Sequence, residues 1–121
     1  MARILVVDDQ VDIRRLIRIA LGRSHEVAEA EDGVAGLAMA RRFRPDLVVL
    51  DVMMPGGLDG LQVLDAIRED PDLAAAKVIL LTARGQARDL EEGMSRGADA
   101  YVVKPFSPAL LVNSISELLA A

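Results

Sequence analysis

The chain of 121 residues is 52% hydrophobic and 27% charged, with 19 acidic side chains against 14 basic ones and a formal net charge of −5. That length predicts one domain over residues 1–121 whose core needs no metal or disulfide to hold it, and the absence of cysteine excludes a disulfide scaffold, a thiol nucleophile and a Cys-based zinc site. The acidic balance argues against direct binding of nucleic acid or an anionic membrane, and together with the lack of cysteine it fits a cytoplasmic protein.

The apolar run Ile4 to Val7 predicts a first strand and is too short for a signal peptide or a membrane span. Ile13, Leu16, Ile17, Ala20 and Leu21 follow at i, i+3, i+4, i+7 and i+8, one apolar stripe on a first helix that stops at Gly22. A weaker strand around Val27 to Ala30 leads to a second helix carrying Gly36, Leu37 and Ala40, broken at Arg44-Pro45. Leu47 to Leu50 is the third strand, and Leu61, Leu64 and Ile67 mark a third helix ending before Asp70-Pro71. Val78 to Leu81 is the fourth strand, followed by a helix marked by Leu90 and Met94. Ala100 to Val103 is the fifth. The last helix starts at Ser107 as N-cap with Pro108 behind it, and buries Leu111, Ile115, Leu118 and Leu119. Unbroken apolar runs predict strands covered on both faces. Strict alternation of five strands and five helices therefore predicts an α/β fold, a doubly wound parallel sheet with helices on two faces.

Polar residues collect where the strands end: Asp8 and Asp9 after the first, Asp51 after the third, Thr82 after the fourth, Lys104 after the fifth. Ligands of open α/β sheets bind at that edge. Taken alone, Asp8 and Asp9 fit helix capping as well as a functional role. Three carboxylates at neighbouring strand ends repel one another and call for a cation, and an oxygen-only donor set with no His or Cys suits Mg²⁺. An aspartate, a divalent cation, a lysine and a hydroxyl are the parts that phosphoryl transfer needs.

In this order and spacing, VVDD, LDVMMP, LLTA and YVVKPF resemble the receiver domain of two-component response regulators, in the manner of a single-domain chemotaxis regulator. The resemblance implies a flavodoxin-like sheet of order 2-1-3-4-5, in which strand five lies two spacings, about 10 Å, from strand three, within the lean of a lysine. It implies that Asp51 is the phosphoacceptor and that Asp8, Asp9, Asp51 and the backbone carbonyl of Met53 hold Mg²⁺. Thr82 and Lys104 are implied as the hydroxyl and the cation that contact the phosphoryl group. Thr82 and Tyr101 are implied as a switch pair, with Tyr101 and Lys104 on opposite faces of their strand. A cis Lys104-Pro105 bond is a further implication. So are the partners: a sensor histidine kinase or a histidine phosphotransfer protein upstream, an effector protein or domain downstream, and a homodimer through helix four, strand five and helix five. Such a domain catalyses only its own phosphorylation and dephosphorylation, as a switch in a two-component system or phosphorelay.

One departure from the family pattern stands out. The loop Pro55-Gly56-Gly57-Leu58-Asp59-Gly60 is one residue longer than usual, read either as a variant absorbed by the two glycines or as a change in access to Asp51. Met53 and Arg84, two residues beyond Asp51 and Thr82, occupy positions that in the family tune phosphoryl lifetime. Other features read as ordinary surface. These are the lone His25, the Arg41, Arg42 and Arg44 cluster, the acidic stretch Asp59, Asp65, Glu69, Asp70 and Asp72, and the pair Glu91 and Glu92.

Two other function classes compete with this reading. A Mg²⁺-dependent phosphatase or phosphotransferase with an Asp nucleophile lacks the second Asp it would use two residues after Asp51, where Met53 stands. A nucleotide or flavin binder lacks a glycine-rich phosphate loop after the first strand, which reads Asp8-Asp9-Gln10. The fifth helix runs to within a few residues of Ala121, so the reading extends to a stand-alone receiver or one cut from a longer regulator.

Overall fold

The computed structural model describes residues 2–83 and 87–121, with the side chains of 87–89 outside the description. Ten elements alternate: β1 (Arg3–Val7), α1 (Val11–Leu21), β2 (Glu26–Ala30), α2 (Gly33–Phe43), β3 (Leu47–Asp51), α3 (Gly60–Glu69), β4 (Lys77–Ala83), α4 (Ala87–Ser95), β5 (Ala100–Lys104) and α5 (Pro108–Ala120). The five strands form one parallel sheet in the order β2-β1-β3-β4-β5. This is the doubly wound parallel sheet the sequence predicts, in the flavodoxin-like order that the family resemblance implies.

Strand alternation divides the core in two. Ile4, Val6, Leu47, Val49, Ile79 and Leu81 pack on one face with Ile17 and Leu21 of α1 and Leu111 and Ile115 of α5. Leu5, Val7, Val48, Leu50, Val78 and Leu80 pack on the other with Ala40 of α2 and Leu61, Leu64 and Ile67 of α3. In the three central strands, Ile4 to Val7, Leu47 to Leu50 and Val78 to Leu81 are all fully buried, which is why they read as unbroken apolar runs.

The helix ends follow local chemistry. Gly22 closes α1 at a positive φ of 63°, and Arg44 ends α2 in the left-handed region before Pro45. Ser107 caps α5 by accepting from the Leu110 N–H. Asp59, read from sequence as surface charge, is exposed and in addition caps α3 in a reciprocal box with Gln62. Asp70 and Asp72 of the same acidic stretch meet Arg41 and Arg44 at 3.6 and 3.7 Å.

Two helix faces differ from the predicted stripes. Leu16 is exposed, and the buried line on α1 runs Ile13, Ile17, Leu21, a strict i+4 row that meets α5. On α4 Met94 is exposed, and Gly93 is the residue buried against Leu80 of β4, where any Cβ would collide. His25 is half-buried, its Nδ1 accepting from the Ala2 N–H at 3.1 Å.

Candidate functional site

Strand register builds the site. Val7 pairs with Leu50, so Asp8 and Asp51 stand one rung further along neighbouring central strands. Asp51 pairs with Leu81, and Ala83 with Lys104. Alternation then separates two sets. Asp8, Asp51 and Lys104 continue the face that packs on α1 and α5, whereas Thr82 and Tyr101 continue the face toward α2, α3 and α4. The predicted opposition of Tyr101 and Lys104 is therefore present.

Asp8, Asp9 and Asp51 each offer a carboxylate oxygen, and these oxygens lie within 4.8 Å of one another. Asp8 is fully buried and Asp51 is 4% exposed, while Asp9 faces solvent. Neither Asp8 nor Asp9 caps α1, whose N-cap is Gln10. Asp8 Oδ1 accepts instead from the Gln10 N–H at 2.9 Å. The Lys104 ammonium reaches across to stand 2.8 Å from Asp8 Oδ2 and 3.4 Å from Asp51 Oδ2. Its approach to Asp8 Oδ2 is off-line for a directed hydrogen bond, so that contact is a charge pairing. Lys104-Pro105 is cis.

Among the described residues, one lysine faces three carboxylates. Burial pushes the Asp51 carboxyl up and the Asp8 charge adds to it. Lys104 and the Met53 N–H, 3.3 Å from Asp51 Oδ1, pull the other way, and the result is a pKa of about 6. At neutral pH the carboxylate is ionised but held at a cost, as a nucleophile or a metal ligand is. Thr82 is 1% exposed, and among the described residues its Oγ1 has no hydrogen-bond partner. A buried hydroxyl without a partner is uncommon and marks a place where one is supplied from elsewhere. The model of the receiver domain of response regulators matches residues 4–116.

The chain belongs to the response regulator receiver family. It is similar to the transcriptional regulatory protein ResD of Bacillus subtilis, 43% identical over 97% of this chain and 48% of ResD. It is also similar to the protein PilH of Pseudomonas aeruginosa, at 37% over 99% of both chains. Among solved structures, the Vibrio cholerae chemotaxis protein CheY4 superposes with a TM-score of 0.89 at 32% identity, over 98% of each chain. The chain spans about half the length of ResD and nearly all of PilH.

Each predicted receiver residue occupies or borders this edge except Tyr101, which is 49% exposed and lines an apolar groove with Leu90 and Met94. Arg84 lies outside the described residues. The Met53 side chain is exposed and its backbone N–H faces Asp51, while Met54 is buried. In the longer loop, Gly56 and Gly57 project into open space and Leu58 turns back onto the core. Gly60 then starts α3 so close to the Asp51 carbonyl that a Cβ there would collide.

Two contributors escaped the sequence reading. Gln10 Oε1 lies 3.4 Å from the Lys104 ammonium, and Arg14 Nη1 donates to the Asp8 carbonyl at 2.7 Å. Gln10 carries no motif signal in a polar loop. Arg14 reads as one more charge on the outer face of an amphipathic helix. Among the described residues, no helix is long and apolar enough to cross a membrane.

Proposed function

We propose that this receiver accepts a phosphoryl group on Asp51 from a phosphohistidine of a sensor histidine kinase or histidine phosphotransfer protein. The observation that carries the reading is the placement of Asp51, buried and at about pKa 6, within 3.4 Å of the Lys104 ammonium. An oxygen of the ionised carboxylate attacks phosphorus as the phosphorus–nitrogen bond breaks, and the imidazole leaves with its electron pair. Lys104 pairs with a phosphoryl oxygen, and the buried Thr82 hydroxyl donates to another. Attack of water on phospho-Asp51 then releases inorganic phosphate and restores the carboxylate, which returns the domain to its starting state.

The acidic cluster fits Mg²⁺: three carboxylate oxygens converge within 4.8 Å, with one ammonium against them among the described residues. Asp8, Asp9, Asp51 and the Met53 carbonyl would hold the ion. When bound it neutralises charge on the carboxylates and the phosphoryl oxygens. Thr82 and Tyr101 share one face of the sheet. Movement of the Thr82 hydroxyl toward the phosphoryl group empties space on that face for the exposed Tyr101 ring to enter, which alters the surface of α4, β5 and α5 offered to an effector or a second copy.

The test is incubation with Mg²⁺ and acetyl phosphate followed by intact mass. The wild type gains one phosphoryl group, and Asp51→Asn gains none. Absence of the adduct, or its persistence in Asp51→Asn, overturns the reading. Continuous hydrolysis of a phosphomonoester points instead to a phosphatase.

A further inference from the structure

Asp9 is the exposed member of the carboxylate cluster, and its side chain accepts no hydrogen bond among the described residues. Its orientation is set by the two peptide planes on either side. The plane after it is pinned by the Gln10 N–H on Asp8 Oδ1, and the plane before it by Arg14 Nη1 on the Asp8 carbonyl at 2.7 Å. The Asp8 N–H is tied separately to Ala30 of β2. Arg14 is itself held, because its Nε donates to Glu29 Oε1 at 3.1 Å and its side chain is only 14% exposed.

Glu29, on the edge strand β2, grips two arginines of α1. Its second oxygen takes Arg18 Nε at 2.7 Å, and Arg18 Nη2 donates to the Val27 carbonyl. Partial burial pushes the Glu29 carboxyl up, but Arg18 and Arg14 outweigh it and hold the group below the usual carboxylate range. The two arginines are thus matched in partner and helix, and differ in the carbonyl they reach. Arg14 reaches the Asp8 carbonyl at the site, and Arg18 reaches the Val27 carbonyl within β2.

We propose that Arg14, oriented by Glu29, is a positioning residue for the Mg²⁺ site, fixing the Asp8-Asp9 peptide so that the Asp9 carboxylate meets those of Asp8 and Asp51. The inference rests on the reading of that cluster as a cation site. The guanidinium does this with a fork, one N–H on the carboxylate and one on the carbonyl, which a lysine ammonium at the end of a flexible stem does not reproduce.

Charge and position predict opposite signs. An arginine near a cation site weakens binding by repulsion, so if Arg14 acted only through its charge, Arg14→Ala would bind Mg²⁺ more tightly. As a positioning residue its loss weakens binding by about tenfold, the scale on which outer-shell partners act. Isothermal titration with Mg²⁺ alone, on protein whose folding is checked by urea unfolding, reads the difference. Expected results are wild-type binding, about tenfold weaker binding by Arg14→Ala and Arg14→Lys, and a change under twofold in Arg18→Ala. Should Arg14→Ala fail to fold, Arg14→Lys and Glu29→Gln carry the comparison. Unchanged or tighter binding by the Arg14 variants, or equal weakening by Arg18→Ala, overturns the role of Arg14. A wild type that binds no Mg²⁺ overturns the cation-site reading, and this inference with it.

Discussion

The two ends of the sheet hold contrasting polar clusters. At the carboxyl end, among the described residues, Asp8, Asp9 and Asp51 face one lysine and the buried Thr82 hydroxyl has no partner. At the amino end, Arg68 of α3 meets Asp99 at 2.9 Å and donates to the carbonyls of Gly97, Ala74 and Ala76, while Asp99 also accepts from the Val78 N–H. One cluster is out of balance, while the other matches charge for charge and donor for acceptor. A polar group kept for stability is paired within the fold, whereas one kept for chemistry leaves room for a partner that comes and goes. The contrast predicts opposite responses to mutation.

The largest response belongs to the balanced end. Arg68→Ala leaves Asp99 without its cation and strips donors from the turns before β4 and β5. Breaking such a partly buried pair should destabilise the fold by about 3–4 kcal/mol, read by urea unfolding. A loss under about 1 kcal/mol would mean that the cluster is surface decoration and would remove half of the contrast.

The next concerns Asp51, with the sign reversed. Its folded pKa of about 6 lies above the ordinary carboxyl value of 3.8, so the folded state binds the proton more tightly than the unfolded one. Its contribution is fully present below pH 3.8 and is lost as pH rises through 6, a swing of about 3 kcal/mol over the two units. In metal-free buffer Asp51→Asn should therefore be about 2–3 kcal/mol more stable than the wild type at pH 7, and the gap should close by pH 4. Equal stability at pH 7 would show that Lys104 already compensates the carboxylate. Added Mg²⁺ should narrow the gap at pH 7 by stabilising only the wild type.

How much of this contrast the sequence announces differs between the two ends. Asp8, Asp51, Thr82 and Lys104 each directly follow or end an apolar run, so period and position bring them to one edge before any coordinates are seen. The amino-end cluster carries no such mark. Arg68 sits at the polar end of a helix and Asp99 before a strand, 31 residues apart, and only the packing of α3 under the turn before β5 brings them together. Asp59 hid for a related reason, since a cap and a surface charge look alike until the helix start is fixed. Leu16 and Met94 misled because hydrophobicity shows which residues can be buried, while the neighbouring helix decides which are. The apolar runs of the three central strands, enclosed on both sides, left no such freedom.

The smallest effect tests the unpartnered hydroxyl. Thr82→Val keeps the shape of the side chain and replaces with a methyl group a buried Oγ1 that has no hydrogen-bond partner among the described residues. Removing the desolvated hydroxyl should raise stability by about 0.5–1 kcal/mol. The same variant should lose the added stability that beryllofluoride with Mg²⁺ confers on the wild type, because the phosphoryl mimic then lacks the donor from Thr82. A destabilised Thr82→Val would place a hydrogen-bond partner on that hydroxyl in the resting state. Thr82 would then move to the balanced class, and the switch would have to begin by breaking a bond rather than by making one.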